Sequence, residues 1–290
     1  MQELRELAKK LLLEGTVKVV IGYAEGRRGV LPIFAVTPGE AGRLIFDPRC
    51  VQNLATYLSP RREQVVALGR PAVVVKGCDA RAVAGMIRES QRSRDDLVLI
   101  GVRCGGVLAD PVSAVEVSEA TVAARCPGCD ARVPKHVDHL VGPLPPAPPG
   151  TSALDARIAE LEALSPGERF AFWRSELEKC VRCNACREIC PMCFCVRCVA
   201  DKAQPQWIES SPHARGNFAW HMTRALHQAG RCAACGECER ACPAGIPLNL
   251  LNRKIARVVA ERFGYSASGD PESPAPIGTY RPEDGEEFIL

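Results

Sequence analysis

Twelve residues constrain this chain more than any other stretch: Cys180-Val-Arg-Cys183-Asn-Ala-Cys186-Arg-Glu-Ile-Cys190-Pro191. The pattern returns as Cys232-Ala-Ala-Cys235-Gly-Glu-Cys238-Glu-Arg-Ala-Cys242-Pro243. Each copy reads C-x-x-C-x-x-C-x-x-x-C-P. Three thiolates this close can cap three corners of one iron–sulfur cube, and the fourth, before the proline, points away to serve the other cube. The spacing therefore assigns Cys180, Cys183, Cys186 and Cys242 to cluster A, and Cys232, Cys235, Cys238 and Cys190 to cluster B. Structural zinc also favours C-x-x-C knuckles, but it usually takes two separated pairs. Two runs of four ending in proline fit zinc poorly.

A chain of 290 residues has room for about two domains. It is 47% hydrophobic and 24% charged, so it belongs with globular rather than disordered sequences. Aromatics make up only 5%, which leaves an aliphatic core. A net charge of +3 excludes the strongly basic surface that nucleic acid demands. Met1 to Lys10 is charged and amphipathic, unlike a secretory signal, and no apolar run of about 18 residues exists to span a membrane. Sixteen Cys without a secretory signal point to a reducing cytoplasm in which thiols hold metal.

The first 142 residues read as an α/β domain. Leu4, Leu7, Leu11 and Leu12 share a face of an opening helix, with Gly15 as its stop. Strands are expected at 17–21, 30–36 and 44–46. Asp47-Pro48 signals a helix running to about Leu58 with Cys50 in its first turn, and a shorter helix is expected over 60–68. Ala72 to Lys76 is a continuous apolar strand, and Asp79 can cap a helix from Ala80 to about Arg92. Leu97 to Val102 gives the next strand, parallel to and beside the first. Cys78 and Cys104 thus fall just past two strand ends, the edge where open α/β sheets place ligands.

A proline-rich linker with helices spans 143–178, with Leu154–Leu164 helical and a capping box at Ser165-Pro-Gly-Glu168. The cluster-binding domain spans 179–264. Its motifs are separated by 41 residues, longer than a compact β-containing link, which predicts an all-α two-cluster domain with a helix at 218–229. A last helix runs from Leu248 to Phe263, between Pro247 and Gly264, with Leu248, Leu251, Ile255, Val258 and Val259 as its buried stripe. Residues 265–290 form a proline-rich, acidic, extended tail lying over a partner or over the chain's own body.

Eight Cys remain. Cys78, Cys104, Cys126 and Cys129 are expected to make a third site: two thiols at neighbouring strand ends and a Cys126-Pro-Gly-Cys129 knuckle to fold over them. A third cube is preferred there and zinc is the alternative; small buried side chains are the bland reading for Cys78 and Cys104. Cys193, Cys195 and Cys198 crowd behind the first motif and, with Cys50, would complete a possible fourth set. They could instead replace a ligand of cluster A or B, or hold zinc. His221 and His227 lie six apart and share no helix face, so packing or surface roles suit them; His136 and His139 could support the knuckle. Arg182, Arg187, Arg197 and Lys202 read as a solvated face or as charges that raise cluster potentials. No G-x-G-x-x-G, phosphate-binding P-loop or nucleophile elbow is present. Gly22 to Gly29 reads as a glycine-rich hairpin.

The stretch Val73-Val-Val-Lys-Gly-Cys-Asp … Leu97-Val-Leu-Ile-Gly-Val-Arg-Cys-Gly-Gly106 resembles the beta-subunit family of deazaflavin-dependent hydrogenases and dehydrogenases, which includes formate dehydrogenase beta subunits. The second half, with Cys190-Pro-Met-Cys-Phe-Cys and Gly230-Arg-Cys-Ala-Ala-Cys-Gly-Glu-Cys-Glu-Arg-Ala-Cys-Pro243, is similar to helical dicluster ferredoxin modules of heterodisulfide reductase C subunits and succinate dehydrogenase iron–sulfur subunits. The resemblance implies a cytoplasmic subunit of an anaerobic redox complex. It would relay electrons through at least two 4Fe–4S clusters to formate dehydrogenase, hydrogenase or heterodisulfide reductase partners. FAD is implied for those beta subunits, but no residue here can be matched to a flavin. Their cluster motifs often precede the α/β domain, whereas here they follow it. Two alternatives stay open: a flavoprotein that itself turns over a deazaflavin or nicotinamide carrier, and a zinc-binding interaction module.

Overall fold

The computed structural model describes residues 1–209, 211–267, 269–276 and 282–283. Its centre is a five-stranded sheet in the order β2-β1-β3-β4-β5: β1 Val19–Gly26, β2 Gly29–Ala35, β3 Pro71–Val75, β4 Val98–Val102 and β5 His139–Val141. β1, β3, β4 and β5 are parallel, and β2 is an antiparallel edge. The expected β3–β4 neighbourhood is present, in the register Val73 to Leu99. β3 and β4 are buried almost along their whole length, which explains their unbroken Val, Ile and Leu runs. Glycines 22 to 29 do form a hairpin, closing at Gly26 and Gly29 around Arg27-Arg28. β5 was not expected from the sequence; its three residues carry no strand signal of their own.

Helix α1, Gln2–Leu13, packs Leu4, Ala8 and Leu11 against the sheet. Helix α2, Gly77–Arg88, follows β3 and is buried along Ala80, Val83, Ala84 and Met86. The helix expected at 47–58 is absent as such. Asp47 to Gln52 is an irregular strap, and only Leu54–Leu58 turns, as a 3-10 helix capped by the Asn53 side chain on the Ala55 amide. The strap is held by tertiary bonds: the Gln52 carbonyl accepts from Tyr23 Oη at 2.5 Å and from Lys76 Nζ at 2.6 Å. The third expected strand is reduced to a bridge between Ile45 and Tyr23.

Among the described residues, the elements after Val141 are helices and short turns, apart from an isolated bridge between Ala203 and Gln206. The long ones are α3 Ala153–Ala163, α4 Pro166–Glu178, α5 Ala214–His227 and α6 Leu248–Phe263. The Ser165 capping box forms as expected, with Glu168 Oε2 accepting from the Ser165 amide at 2.9 Å. On α6 the buried residues are Leu248, Asn249, Leu250, Asn252 and Val259, while Leu251, Ile255 and Val258 are only half-buried. The helix faces two neighbours at once: Leu250 packs with Leu154, Ile158 and Leu161 of α3, and Asn252 turns to Cys238.

The two halves share one core. Met192, Phe194 and Ala233 join the cluster built on the sheet, and Met192 lies so close to α2 that a Cβ on Gly85 would meet its Cε at 2.9 Å. Arg231 grips Glu89 with two bonds of 2.6 and 2.5 Å. Arg61 pairs with Glu188 and donates to the Cys193 carbonyl at 2.8 Å. The proline run at 143–149 does not bridge a gap; it lies on the α/β half, where Arg132 donates to the Pro145 carbonyl and Arg103 to that of Gly142. Of the expected tail, residues 268, 277–281 and 284–290 lie outside the described residues. Its described start rests on the chain's own body: Tyr265 is buried, its hydroxyl meets Arg88, and the Asp270 carbonyl accepts from Arg88 at 2.7 Å.

Candidate metal centres

The two cysteine motifs have the same local backbone. Arg182 and Asn184 flank Cys183 with φ of 56° and 61°; Ala234 and Gly236 flank Cys235 with 56° and 67°. A left-handed non-glycine residue costs about 1–3 kcal/mol and persists where surroundings over-determine it. Here it turns an amide onto a sulfur. The Arg182 N–H reaches Cys180 Sγ at 3.4 Å, and the Ala234 N–H bonds to Cys232 in the equivalent position.

Cys180, Cys183 and Cys186 of the first motif and Cys242 of the second line a single cavity, together with Trp220 and His221. A thiol of the second motif thus borders the same cavity as three of the first. His221 was expected to be a surface or packing residue; it is 2% exposed, and its Nε2 has no partner. Trp220 Nε1 is likewise buried without a partner. A buried polar nitrogen left unpaired costs about 1–3 kcal/mol, and the wall holds two such nitrogens, one of them the indole N–H donor, without a partner among the described residues.

Around the second motif, Cys238 is buried and accepts from Asn252 Nδ2 at 3.5 Å. Gln228 holds Cys190 and Cys193 side by side: Cys190 Sγ lies 3.8 Å from Oε1, and Nε2 donates to Cys193 Sγ at 3.4 Å. Burial pushes the Cys232 thiol up to about 11, with Cys238 and then Cys193 adding to it. The structure thus brings Cys193 near Cys232 of this motif, with Cys190 beside Cys193 at Gln228. Burial also lifts Cys186 to about 11, so free thiols keep their protons at neutral pH and metal loading must release them. Arg224 lies among these thiols at 8% exposure and donates to the Cys186 carbonyl at 3.1 Å. Burial opposes its charge, yet the nearby thiols, Cys190 first, raise its pKa. Sequence reading missed Arg224, because nothing in α5 marks one arginine as turned inward.

Cys78, Cys104, Cys126 and Cys129 line a cavity of their own, with Lys76, Arg125 and Ala234. Amides of Gly106, Val107 and Ala131 each point at one of these sulfurs from 3.4 Å. The knuckle is pressed onto the start of α2: a Cβ on Gly77 would lie 1.7 Å from the Ala131 carbonyl oxygen. Beneath the cavity Lys76, buried, pairs with Asp79 at 3.0 Å. Arg125 reaches from the knuckle to the second motif, donating to the Val51 carbonyl at 3.2 Å and to fully buried Glu237 at 3.5 Å. Cys78 and Cys235 are close enough for the charge of one to act on the other. His136 and His139 do not line this cavity; His139 lies in β5, opposite Ile100.

Cys193, Cys195 and Cys198 line a further cavity with Arg187, Arg224, His227 and Arg231. Cys50 is not part of it. Its thiol is buried in the strap, 3.4 Å from the Asp47 amide, and burial pushes it up to about 12. Among the described residues no three Cys, His, Asp or Glu side chains converge tightly enough to share one ion; the thiols stand around cavities instead. A cavity of about 490 Å³ opens at the carboxyl ends of β4 and β5. Arg103, Gly105, Asp47, Phe46 and the proline run wall it. Gly106 borders both this space and the Cys78–Cys104 cavity.

Donor set and surroundings suit iron–sulfur cubes: four thiols around one cavity, amides on their sulfurs, unpaired N–H groups in the wall and buried cations nearby. Residues 176–246 match the family model described as a 4Fe-4S dicluster domain, which fixes the class of the second half. Over 103 residues the chain is 32% identical to the F420-dependent formate dehydrogenase subunit beta of Methanocaldococcus jannaschii, covering 35% of this chain and 26% of that protein. Over 295 aligned positions it is 23% identical to the F420-dependent formate dehydrogenase 1 subunit beta of Methanococcus maripaludis, covering 71% of this chain and 75% of that one. The chain is thus similar to formate dehydrogenase beta subunits over part of its length and carries a 4Fe-4S dicluster domain, and it spans only about a quarter of the first of these relatives. Among the described residues no helix is long and apolar enough to cross a membrane.

Proposed function

We propose that the chain is an iron–sulfur electron-transfer subunit of a cytoplasmic redox complex, built as an α/β half joined to a helical two-cluster half. Cluster A is held by Cys180, Cys183, Cys186 and Cys242. Cluster B is held by Cys232, Cys235, Cys238 and Cys190, and a third centre by Cys78, Cys104, Cys126 and Cys129. When bound, 4Fe–4S clusters supply one-electron storage without proton transfer. The chain's residues hold them in order: Arg224 neutralises charge between the two motifs, and Arg125 with Glu237 ties the second motif to the knuckle. Apolar walls, Leu177, Ile246 and Leu248 among them, keep water off the thiols. The observation that carries the reading is the cavity lined by three thiols of one motif and one of the other.

The relatives' names point to a carrier as well. The 490 Å³ cavity beside Gly106 has the size of a cofactor site and lies at the sheet edge where α/β proteins bind ligands. It favours, as a second reading, an oxidoreductase subunit that holds FAD there and exchanges electrons with a deazaflavin or nicotinamide carrier. Its partners would be catalytic subunits of the formate dehydrogenase, hydrogenase or heterodisulfide reductase type. Anaerobic purification with iron and acid-labile sulfide quantitation and EPR of the reduced protein tests the main reading. At least two 4Fe–4S centres per chain are expected; zinc without iron or sulfide ends it. Release of FAD on denaturation decides the second.

A further inference from the structure

The wall of the first cavity contains a group that packing does not explain. His221 lies in the middle of α5 with 2% of its surface exposed. Its Nε2 is buried and has no hydrogen-bond partner among the described residues, although the residue borders the cavity of Cys180, Cys183, Cys186 and Cys242 and no other cavity described above. Its ring stands edge-on to Trp220 at 4.7 Å between centroids, which fixes the plane in which its nitrogens lie. Leaving an imidazole nitrogen dry and unpaired is costly, and an aliphatic side chain of similar volume would avoid that cost. A neutral imidazole carries one N–H, and placed on Nε2 that proton makes the buried nitrogen a donor in the cavity wall. Four of the twelve residues lining the cavity are cysteines, so sulfurs are prominent among the acceptors it offers. A hydrogen bond to a cluster's sulfurs favours the state with one more electron, because that state carries more negative charge.

Building on the iron–sulfur reading above, we propose that His221 is a positioning residue whose Nε2–H bonds to a sulfur of the centre held by Cys180, Cys183, Cys186 and Cys242, raising the reduction potential of that centre alone. The geometry distinguishes this from a general effect of the α5 helix. The second motif has a different donor, Asn252 on Cys238, supplied by α6. Removing His221 therefore touches one centre and leaves an internal reference in the same molecule.

The test is an EPR-monitored redox titration of the anaerobically purified holoprotein and its His221→Leu and His221→Gln variants, with iron and sulfide measured on every sample. The expected result is a lower midpoint for cluster A in His221→Leu, a midpoint near wild type in His221→Gln, which keeps an N–H donor, and an unmoved cluster B in both. Unchanged midpoints in His221→Leu with full iron content overturn the proposal, as does an equal shift of both clusters, the mark of a structural role. A second measurement needs no variant. In wild-type protein labelled with 15N-histidine, pulsed EPR of reduced cluster A is expected to show a 15N coupling that cluster B lacks, and its absence also overturns the proposal. Wild-type protein without iron or sulfide defeats the iron–sulfur reading itself, an outcome separate from loaded clusters that ignore His221.

Discussion

Lys76→Met is expected to weaken the α/β half more than any surface change could. The Lys76 ammonium lies 3.0 Å from Asp79, 2.6 Å from the Gln52 carbonyl and 2.5 Å from Tyr23 Oη, and the two charged side chains are 3% and 0% exposed. Burial pushes the Asp79 carboxyl up, and Lys76 opposes that rise. Methionine fills the space but removes the cation, leaving a carboxylate with no counter-charge at the root of α2. Breaking a buried pair in this way costs about 3–5 kcal/mol, out of a total stability of about 5–15 kcal/mol. With a denaturant slope of about 3 kcal/mol per molar urea, the unfolding midpoint should fall by about 1–2 M. Far-UV circular dichroism of the holoprotein across a urea series reads this directly. The double variant Lys76→Met/Asp79→Leu should recover most of the loss, because apolar replacement of a whole buried pair is often close to neutral. A single variant within about 0.5 kcal/mol of wild type, or a double variant as weak as the single, would refute the reasoning.

Two further outcomes are expected. Gly77→Ala places a methyl 1.7 Å from the Ala131 carbonyl, a clash with backbone that no rotamer relieves, so the knuckle must leave α2. On the proposed assignment of a third centre to Cys78, Cys104, Cys126 and Cys129, the variant should lose that centre's iron while keeping that of the two motifs; full iron content by metal analysis would contradict this. Asp155 is held below its ordinary 3.8 by the Arg253 hydrogen bond, which joins α3 to α6. A carboxyl whose folded pKa is depressed adds stability above its unfolded pKa and loses it as pH falls through the folded one. The wild-type urea midpoint should therefore drop below about pH 4 more steeply than that of Asp155→Asn.

What was legible in the sequence was what local chemistry dictates. Continuous apolar runs gave β3 and β4, Ser165 and Glu168 gave the start of α4, and Pro247 and Gly264 bracketed α6. Cysteine spacing gave the crossed cavity, because four residues with one chemistry and fixed separations leave little geometric freedom. Asp47-Pro48 misled because its helix-start signal lost to tertiary bonds: the Gln52 carbonyl is worth more to buried Lys76 and Tyr23 than to a helix. Cys50 misled for the same reason, since arithmetic on sixteen thiols carries no information about distance. Arg224, His221 and Arg125 were not legible at all. Each is an ordinary polar residue on an ordinary pattern, and its role comes from which way a helix or knuckle faces. The expected stripe on α6 held at Leu248 and Val259 but not at Leu251, Ile255 and Val258, because one helix here serves two neighbours, which a single-face template does not describe.

Met192, Phe194 and Ala233 in the core of the sheet have a consequence for biosynthesis. The ribosome delivers the sheet first, and domains usually begin folding in that order. Here the first 142 residues emerge without the three side chains that close their interior, which arrive some 50 to 90 residues later on the segments bearing the metal thiols. Until those segments dock, α2 presents bare apolar surface of the kind that chaperones hold. Maturation of the whole chain thus awaits its last third, and iron starvation should leave a nascent protein that is unfinished in both halves rather than a folded α/β domain with an empty appendage.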